Sequence, residues 1–542
     1  MMLPGMREQG RTTVTAAVFT GIDRRNERGL GALRECRNLV RRDDALVAGR
    51  ARAVHATAAA PEGLLVTDRV VWADGTKIKV NGIDAATVSE GQKQLIPFGQ
   101  QVLVLPDKLL VDTKNGTSRA IEHTFTAVGQ VTYTMCLLDG TPVTLADTMT
   151  EEAGDGTCAV EAGQVMMASR GIWSPVAGVL VKIASTGIGS GFAEGDGVTI
   201  AGSAVIENGS YVLEAASENE ITVSAVMAAE SAVTDDTLTV SRAMPDLEFA
   251  CEMDNRVWGV AGDTVYASRL GDATNWQVYE GLSTDSYAVA LAAPGSFSGI
   301  IRQGSGLVIF RQDCFYKLSG NTPSTFRLRR CDLPGIPEGA EKSLTACMEN
   351  LFFFTGESYV MYDGAEETEV SLPLGGEKLT GPVAWTEGES VCLCGTVSGA
   401  VRLYRLRVPA MSWTEETTPA AVSAGSGGFR MLADGSITKP GSGSVAWELQ
   451  TAPMGTRELR GERLSAVGVG LTLPQGSTAR LSVRYDGGEW QVLRDIENGE
   501  NRTERFYVFP RESGNFSIRL SGTGDVTVHR LTVRTQKGGD RE

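Results

Sequence analysis

The sequence predicts an all-β fold: a β-propeller of six to eight blades, with a small β-barrel or sandwich inserted in it and a β-sandwich at its C-terminal end. Three observations predict this. The 542 residues include 64 glycines and many Thr, Val and Ser, a composition that favours strands and turns. A hairpin pattern recurs along the chain. Its repeats lie about 40 residues apart, a spacing typical of propeller blades.

The clearest hairpin lies in residues 255–276, NRVWGVAGDTVYASRLGDATNW. An apolar run around Trp258 and a second run around Tyr266 flank a turn at Gly262 and Asp263. Short Gly/Asp turns reach the positive φ that a twisted two-stranded ribbon needs, so the pattern predicts two paired strands. One hairpin cannot bury a face on its own, and the prediction therefore depends on repetition.

Seven segments share this plan. Their central positions lie 32 residues apart before a long interruption and then 51, 44, 39 and 39 apart. One four-stranded sheet cannot cover both of its faces, whereas sheets stacked around an axis cover one another. An open β-solenoid is the alternative, and it would show a shorter and stricter period. The seventh unit is the least regular, because Arg430 stands where the others have an apolar residue. The units are 64–82, 100–116, 255–268, 306–320, 350–364, 390–406 and 428–439.

These patterns divide the chain into five regions. We expect an Arg-rich N-terminal arm (1–60), the first blades (61–116), an inserted β-domain (117–250), the remaining blades (251–454), and a C-terminal β-sandwich with a polar tail (455–542).

The arm is basic in an acidic chain. Residues 1–55 carry eleven Arg against six acidic residues, whereas the whole chain has a net charge of −16. The arm shows no amphipathic stripe. It is either a solvated extension or a segment that orders against a neighbouring subunit or an acidic partner through guanidinium–carboxylate pairs. The arginines expected to take part in assembly are Arg24, Arg25, Arg28, Arg34, Arg37, Arg41 and Arg42.

Two turn motifs resemble ligand sites. The GIGSG segment at 187–191 is similar to a dinucleotide loop, but a strand pattern follows it, so no helix N-terminus is available for a phosphate. The segment 485–490, YDGGEW, resembles the Asp-box turn of sialidase-like propellers, which is itself a structural hairpin. We interpret it as a β-turn with Trp490 packed beneath it, and we expect no cofactor.

Composition narrows the classes of function. The acidic balance argues against a protein that grips nucleic acid through its phosphates. The sequence contains no secretory signal pattern and no run of eighteen apolar residues, so we expect a chain made and kept in the cytoplasm unless a larger assembly carries it out. Nine irregularly spaced Cys fit reduced thiols. Cys392 and Cys394 share one face of an apolar strand, and core packing is favoured over a metal or redox pair.

Catalytic groups are scarce in the sequence. His55, His123 and His529 have no Cys or carboxylate cluster at ligand spacing beside them, which leaves little material for a metal site or a His-activated nucleophile. Glycoside hydrolysis would need paired carboxylates on blade loops, but acidic residues are common in turns for conformational reasons. We therefore expect neither a metal site nor an enzyme. The loop acids considered are Asp263, Asp272, Asp313, Glu357 and Asp363.

The segment 255–281, NRVWGVAGDTVYASRLGDATNWQVYEG, resembles the propeller segment of phage and prophage virion proteins of the packaged-DNA stabilisation or tail-nozzle type. The shared pattern is Asn-Arg-hydrophobic-Trp-Gly, a short turn, hydrophobic-Tyr-Ala-Ser, and then Leu-Gly-Asp-x-x-Asn-Trp. Similarity extends to 29–50, to RYDGGEW at 484–490 and to LSGTGDVTVHRLTVR at 520–534. The resemblance implies roles in folding and assembly for the matching residues, which are Asn255, Arg256, Trp258, Gly259, Tyr266, Ser268, Gly271, Asp272, Asn275 and Trp276.

The resemblance implies a non-enzymatic virion structural protein, a connector or nozzle subunit at the head–tail junction or in a short tail. Such a subunit would be assembled in the host cytoplasm, form a homo-oligomeric ring, and contact a portal, an adaptor or tail proteins. It would help retain packaged DNA and let it pass without tight binding, which an acidic body fits because like charges repel. The alternative is a receptor- or glycan-binding phage tail protein, which would cluster aromatic residues and carboxylates on one loop face.

Overall fold

The computed structural model is all-β. Its described residues form fifty strands and three 3-10 helices, and none of these helices has the length and hydropathy that crossing a bilayer requires. The chain divides into two compact units. Unit 1 comprises Met1–Gln92, Phe310–Phe315 and Arg330–Glu542, and unit 2 comprises Lys93–Ile309 and Tyr316–Arg329. The structure describes residues 11–25, 29–227, 231–234, 237–291, 295–455, 462–509, 511 and 513–537.

The strands are numbered in chain order. Those up to the first interruption are β1 (Arg11–Ala16), β2 (Gly21–Ile22), β3 (Ala32–Arg37), β4 (Leu39–Arg42), β5 (Ala45–Ala48), β6 (Arg50–Thr57), β7 (Pro61–Val66), β8 (Val70–Asp74), β9 (Lys77–Val80), β10 (Ile83–Thr87), β11 (Gln94–Phe98), β12 (Gln101–Leu105), β13 (Leu109–Asp112) and β14 (Thr117–Ala120). The next twelve are β15 (His123–Thr126), β16 (Val131–Leu137), β17 (Thr144–Leu145), β18 (Thr157–Glu161), β19 (Gln164–Ser169), β20 (Ile172–Pro175), β21 (Val179–Ala184), β22 (Gly197–Ala201), β23 (Gly209–Ser217), β24 (Glu220–Ser224), β25 (Ser231–Thr234) and β26 (Thr239–Arg242).

The later part of the chain contains the other strands and the 3-10 helices. The strands are β27 (Phe249–Met253), β28 (Arg256–Ala261), β29 (Thr264–Ala267), β30 (Tyr287–Ala290), β31 (Phe297–Gln303), β32 (Gly306–Arg311), β33 (Phe315–Ser319), β34 (Arg327–Cys331), β35 (Thr345–Cys347), β36 (Asn350–Phe354), β37 (Tyr359–Tyr362), β38 (Glu367–Glu369), β39 (Leu379–Glu387), β40 (Ser390–Val397), β41 (Ala400–Arg407), β42 (Ser412–Glu416), β43 (Val422–Ser426), β44 (Phe429–Leu432), β45 (Ser436–Ser444), β46 (Trp447–Thr451), β47 (Glu462–Tyr485), β48 (Gln491–Tyr507), β49 (Phe516–Thr523) and β50 (Thr527–Lys537). The 3-10 helices are Glu341–Ser343, Leu372–Leu374 and Val408–Ala410.

Seven blade-type sheets of four strands occur among the described residues, and they match the seven predicted hairpin units. The prediction of an all-β propeller fold is confirmed. The second strand of each sheet is the most buried: β28 and β40, for example, bury residues on both of their faces. Such strands are near-continuous apolar runs, which is why the sequence pattern is centred on them. The sheets are β7–β10, β11–β14, β27–β30, β31–β34, β35–β38, β39–β42, and β43–β45 with β6.

In unit 1 the blade-type sheets pack in chain order. Strand β39 contacts β35 on one side and β43 on the other, and β43 contacts β7. The sheet β43–β45 gains its fourth strand from the N-terminal segment, because β6 pairs antiparallel with β45 with Val54 opposite Thr438. An apolar core that includes Trp72, Met431 and Ile437 joins this sheet to β7–β10.

In unit 2 the same stacking recurs, since β27 contacts both β11 and β31. The core between β11–β14 and β27–β30 includes Leu103, Val257 and Trp276.

The insertion, β15–β26, forms an eight-stranded sheet and a separate four-stranded sheet, β17–β20. Its predicted span of 117–250 was too wide. Strand β14 belongs to the preceding blade and β27 to the following one. All four residues of β14 are exposed, so the sequence carries no apolar signal there.

Two other predictions are corrected in unit 1. Described residues of the predicted arm (1–60) are not an isolated extension, because β1 and β5 pair with β50, β3 pairs with β46, and β6 pairs with β45. The C-terminal strands are β-structured as predicted but do not form a separate sheet. They continue the sheet of β39–β42 through β3 and β46 into β49, β47 and β50, and with β1, β2, β4, β5 and β48 this sheet has fourteen strands. These pairings join residues far apart in sequence, and local periodicity does not reveal such partners.

Candidate functional site

A cavity of about 720 Å³ in unit 1 is the strongest candidate site. Strand β6 supplies part of its wall, and the other lining residues lie in β4, β5, β39, β41, β42, β44, β45, β47 and β50 and in the turns next to them. The volume lies in the range of small-molecule sites, about 300–1,000 Å³. The pairing of β6 with β45 therefore also brings N-terminal residues into this cavity.

The cavity wall is positively charged. Its charged residues are five arginines and three acids, so the formal balance is 5 − 3 = +2, in a chain with a net charge of −16. A positive concavity on an acidic protein concentrates anions locally. These residues are Arg42, Arg50, Arg52, Arg405, Arg430, Glu387, Glu416 and Asp525.

Two of the arginines alternate with two glutamates in a buried ring. Arg430 approaches Glu387 Oε1 at 2.9 Å through Nε and Glu416 Oε2 at 2.7 Å through Nη1. Arg405 approaches Glu416 Oε1 at 2.5 Å and also pairs with Glu387. Trp385 donates its indole N–H to Glu387 Oε1 at 3.0 Å and lies 5.4 Å from the Arg430 guanidinium. Each of these two guanidiniums therefore has two carboxylate partners.

The ring keeps both carboxylates ionised. Burial alone raises the pKa of Glu387, but Arg430 and Arg405 outweigh it and lower that pKa to about 2. The pKa of Glu416 is lowered for the same reason, again against the effect of burial. A carboxylate with a lowered pKa is a poor proton donor near neutral pH. The arrangement is suited to holding an anion at its guanidiniums and not to donating a proton from these acids.

Arg52 is the third guanidinium beside the ring, and it is incompletely neutralised. Its Nε donates to Thr438 Oγ1 at 3.1 Å, and its Nη2 donates to the carbonyl of Gly428 at 2.5 Å. Its Nη1 lies 3.8 Å from Glu387 Oε1. Burial, followed by the nearby Arg430 charge, lowers the pKa of Arg52 to about 10, although Glu387 partly offsets this. Three cations thus share two carboxylates.

The sequence contains one signal of this site. Arg430 is a charge at an apolar position of the seventh repeat, and it is buried, with 1% of the residue exposed. Arg405 and Arg52 lie in strands that alternate small or apolar residues with arginines, so they resembled solvent-facing residues. Glu387 and Glu416 end their strands and resembled ordinary turn acids.

The structure pairs most of the predicted assembly arginines within the chain. Arg24 lies 2.7 Å from Glu377 and also approaches Glu35, and Arg25 lies 2.7 Å from Asp23.

Arg37 approaches Glu35 and Glu415 at 3.8 Å, and Arg41 lies 3.7 Å from Asp44. Arg34 and Arg42 are exposed, and Arg42 lines the cavity. Arg28 lies outside the described residues.

The family-matching residues lie in unit 2, where they stabilise the blade β27–β30. Arg256 is 3% exposed, and its guanidinium donates to the carbonyls of Ser268, Asp285 and Ser283 at 2.8, 2.5 and 2.8 Å. Ser268 Oγ accepts the Val257 N–H at 3.1 Å.

Trp258 is fully buried against Tyr287 and Phe326. Gly259 leaves room for the Leu247 side chain, because a Cβ there would lie 2.4 Å from Leu247 Cδ1 and would displace it. Tyr266 is half-buried against the core that contains Leu103, Val257 and Trp276.

The end of the motif holds the insertion to this blade. Asn275 accepts the Gly197 N–H at 2.8 Å through Oδ1 and donates to Asp196 Oδ1 at 3.1 Å. Arg269 donates to the Gly195 carbonyl at 2.7 Å. Asp272 accepts the Thr274 N–H at 2.8 Å, while Gly271 adopts a φ of +78°. Asn255 adopts a φ of 58° in the turn between β27 and β28, and Trp276 is buried in the core that contains Leu103 and Val257.

The other sequence motifs lie in packed strands and in turns of the fold. Cys392 and Cys394 lie in an apolar core with Leu403, as predicted, and the nine cysteines are free. Within the described residues, no three His, Cys, Asp or Glu side chains are grouped for a metal ion.

The GIGSG segment is a turn followed by a strand, as predicted. Trp490 contacts two cations, with Arg484 at 4.7 Å and Arg519 at 4.5 Å from its ring.

Comparison with known proteins identifies no family. No family model matches the chain, and no curated protein matches it. Among solved structures, it matches an exo-β-1,3-galactanase from Phanerochaete chrysosporium (10% identity, 76% of this chain, 100% of that chain, TM-score 0.17). It also matches PorZ of the type-IX secretion system of Porphyromonas gingivalis (10%, 83%, 65%, 0.17) and an engineered GH43 glycoside hydrolase (11%, 54%, 97%, 0.19).

One prediction is corrected by these matches. Several matched structures are glycoside hydrolases, which contradicts the expectation from the sequence that the chain is not an enzyme. We therefore propose no absence of enzymatic activity for this chain. With TM-scores of 0.17, 0.19 and 0.16 for these three, the likeness also carries no argument for a particular activity.

Proposed function

We propose that the chain is a structural subunit of a phage or prophage virion, located at the head–tail junction or in a short tail. Copies of the chain form a ring there, next to a portal, an adaptor or other tail proteins, and packaged DNA passes along it. The observation that carries this proposal is the residue-by-residue resemblance of segment 255–281 to the virion proteins of the DNA-stabilisation or tail-nozzle type.

The contacts of the matched residues support the proposal. Arg256 and Ser268 hold the blade hairpin to its following loop, and Asn275 holds the insertion at Gly197. The matched positions thus form one packed unit and are not scattered surface residues. A chance match would not be expected to coincide with the residues that join a blade to an inserted domain.

The charge distribution supports passage of DNA in preference to tight binding. The chain has a net charge of −16, and acidic surfaces repel phosphates. Within the described part of the basic segment, Arg24, Arg25, Arg37 and Arg41 are paired with acids of the same chain. These pairs reduce the positive charge that this segment could offer to a phosphate backbone.

The proposal is tested by locating the chain in a producing culture. Particles are purified from cells that carry the gene and from cells in which it is deleted, and the chain is quantified by mass spectrometry in particles and in soluble lysate. We expect the chain to be enriched in particles, and particles made without it to lose their DNA. A chain confined to the lysate, with DNA-filled infectious particles assembling in its absence, contradicts the proposal.

A further inference from the structure

We propose that the cavity of unit 1 binds a sugar-sized molecule that carries one carboxylate or phosphate group, and that the guanidinium of Arg52 receives this group. The inference rests on the charges and shape of the cavity, and it holds or fails independently of the virion role.

The first argument is the count of charges around the buried ring. Glu387 and Glu416 are each within 2.9 Å of both Arg430 and Arg405, so each carboxylate is already paired with two guanidiniums. Arg52 adds a third cation and approaches Glu387 only at 3.8 Å. Like charges repel more strongly where water is excluded, and the Arg430 side chain is 2% exposed. One bound anion would balance the three guanidiniums.

The second argument is the preorganisation of Arg52. Its Nε and Nη2 are fixed by Thr438 and Gly428, so the guanidinium plane is held before any ligand arrives. Its side chain is 19% exposed and lines the cavity, which leaves part of the guanidinium accessible. Nη2 also donates to the Thr438 carbonyl at 3.2 Å, so the two N–H groups of Nη1 remain as the donors for an oxyanion. Because the guanidinium is already fixed, they bind it at little entropic cost. Burial, followed by the nearby Arg430 charge, also lowers the pKa of Arg52.

The third argument is the size and the remaining lining of the cavity. About 720 Å³ exceeds what a lone ion needs and suits a small organic molecule. Pro419, Leu432 and Pro440 supply apolar surface, while Ser436 and Thr527 supply hydroxyls. This mixture matches a saccharide ring, which presents both C–H faces and hydroxyl edges.

Arg42 adds a further positive charge to the wall. It lines the cavity and is exposed. Arg50, by contrast, is paired with Asp525 at 3.0 Å. A charged wall of this kind raises the local concentration of anions and their rate of association.

The test uses three probes that share one ring and differ at its sixth carbon: glucuronate, glucose 6-phosphate and glucose. Binding to the full chain is measured by calorimetry at low salt. We expect glucuronate, glucose 6-phosphate or both to bind at least tenfold more tightly than glucose, and the probe that binds identifies the acidic group. Equal or undetectable binding of all three probes overturns the proposal.

Variants assign the binding to the cavity. Arg52→Gln keeps donors for Gly428 but removes the charge, and it should weaken binding of the acidic probe at least tenfold. Val54→Trp fills the cavity from a position that is 65% exposed, where folding tolerates substitution, and it should abolish binding. The control is Arg330→Gln, because Arg330 pairs at the surface with Asp332 outside the cavity. Thermal melting of each variant reports its fold. Unchanged binding in folded Arg52→Gln and Val54→Trp overturns the assignment.

Discussion

Arg430 is the residue at which the repeat pattern fails, and its surroundings explain how a charge occupies a core position. It is held by Glu387 and Glu416 and packs against Trp385. A buried charge is tolerated when it is paired and hydrogen-bonded, and it is costly when one partner is removed. We therefore expect the carboxylates of this ring to stabilise the fold only while they are ionised.

The pH dependence of stability tests this at Glu387. Its pKa is lowered to about 2 from its ordinary value of 4.5, so the folded state favours the ionised form. The resulting stabilisation is fully present above the unfolded value and is lost as pH falls from about 4.5 to about 2. We expect Glu387→Gln to be less stable than the wild type by about 3 kcal/mol at pH 7, with the difference shrinking across that window. Urea unfolding at several pH values measures it.

Glu389→Gln is the matched control, because Glu389 is 56% exposed and pairs with Arg407 at the surface. Its effect should be below about 1 kcal/mol at every pH. A difference between wild type and Glu387→Gln that stays constant from pH 7 to pH 2 contradicts the account.

At the scale of elements, Asn275 is one of the side chains that join a blade to the insertion. Asn275 satisfies the buried N–H of Gly197, at the start of β22. Because an unsatisfied buried donor costs about 1–3 kcal/mol, Asn275→Ala should loosen this junction. We expect faster hydrogen exchange at residues 195–199 while β11–β14 remain protected. The control is Asn115→Ala, an exposed turn residue whose side chain donates to nearby Asp112. Unchanged exchange at 195–199 would show that the junction does not depend on Asn275.

The elements that the sequence predicts well are those with local signals. Strands such as β28 and β40 are buried on both faces, so their apolar runs and the turns after them can be recognised without knowing their neighbours. Strands such as β6 and β14 are mostly exposed, and β6 has a partner almost 400 residues away. Pairing of that kind depends on tertiary structure. The cavity was missed for the same reason, since it depends on β6.

At the scale of the whole molecule, the chain is an acidic all-β protein whose N-terminal strands are paired with its later segments. Strand β6 completes the sheet β43–β45, and β3 connects β42 to β46. The described part of the basic N-terminal segment is thereby tied to the same chain through both hydrogen bonds and ion pairs. A subunit with these properties fits the proposed virion role, in which copies of the chain contact one another and leave DNA free to move.

Cryo-electron microscopy of intact particles, with localised reconstruction of the vertex that carries the tail, tests the proposed role most directly. We expect a symmetric ring of this chain at that vertex, in which the blade sheets and the insertion can be fitted to the density and a central path remains open for DNA. A vertex whose density is fully explained by other proteins, in particles shown to be complete and infectious, would contradict it.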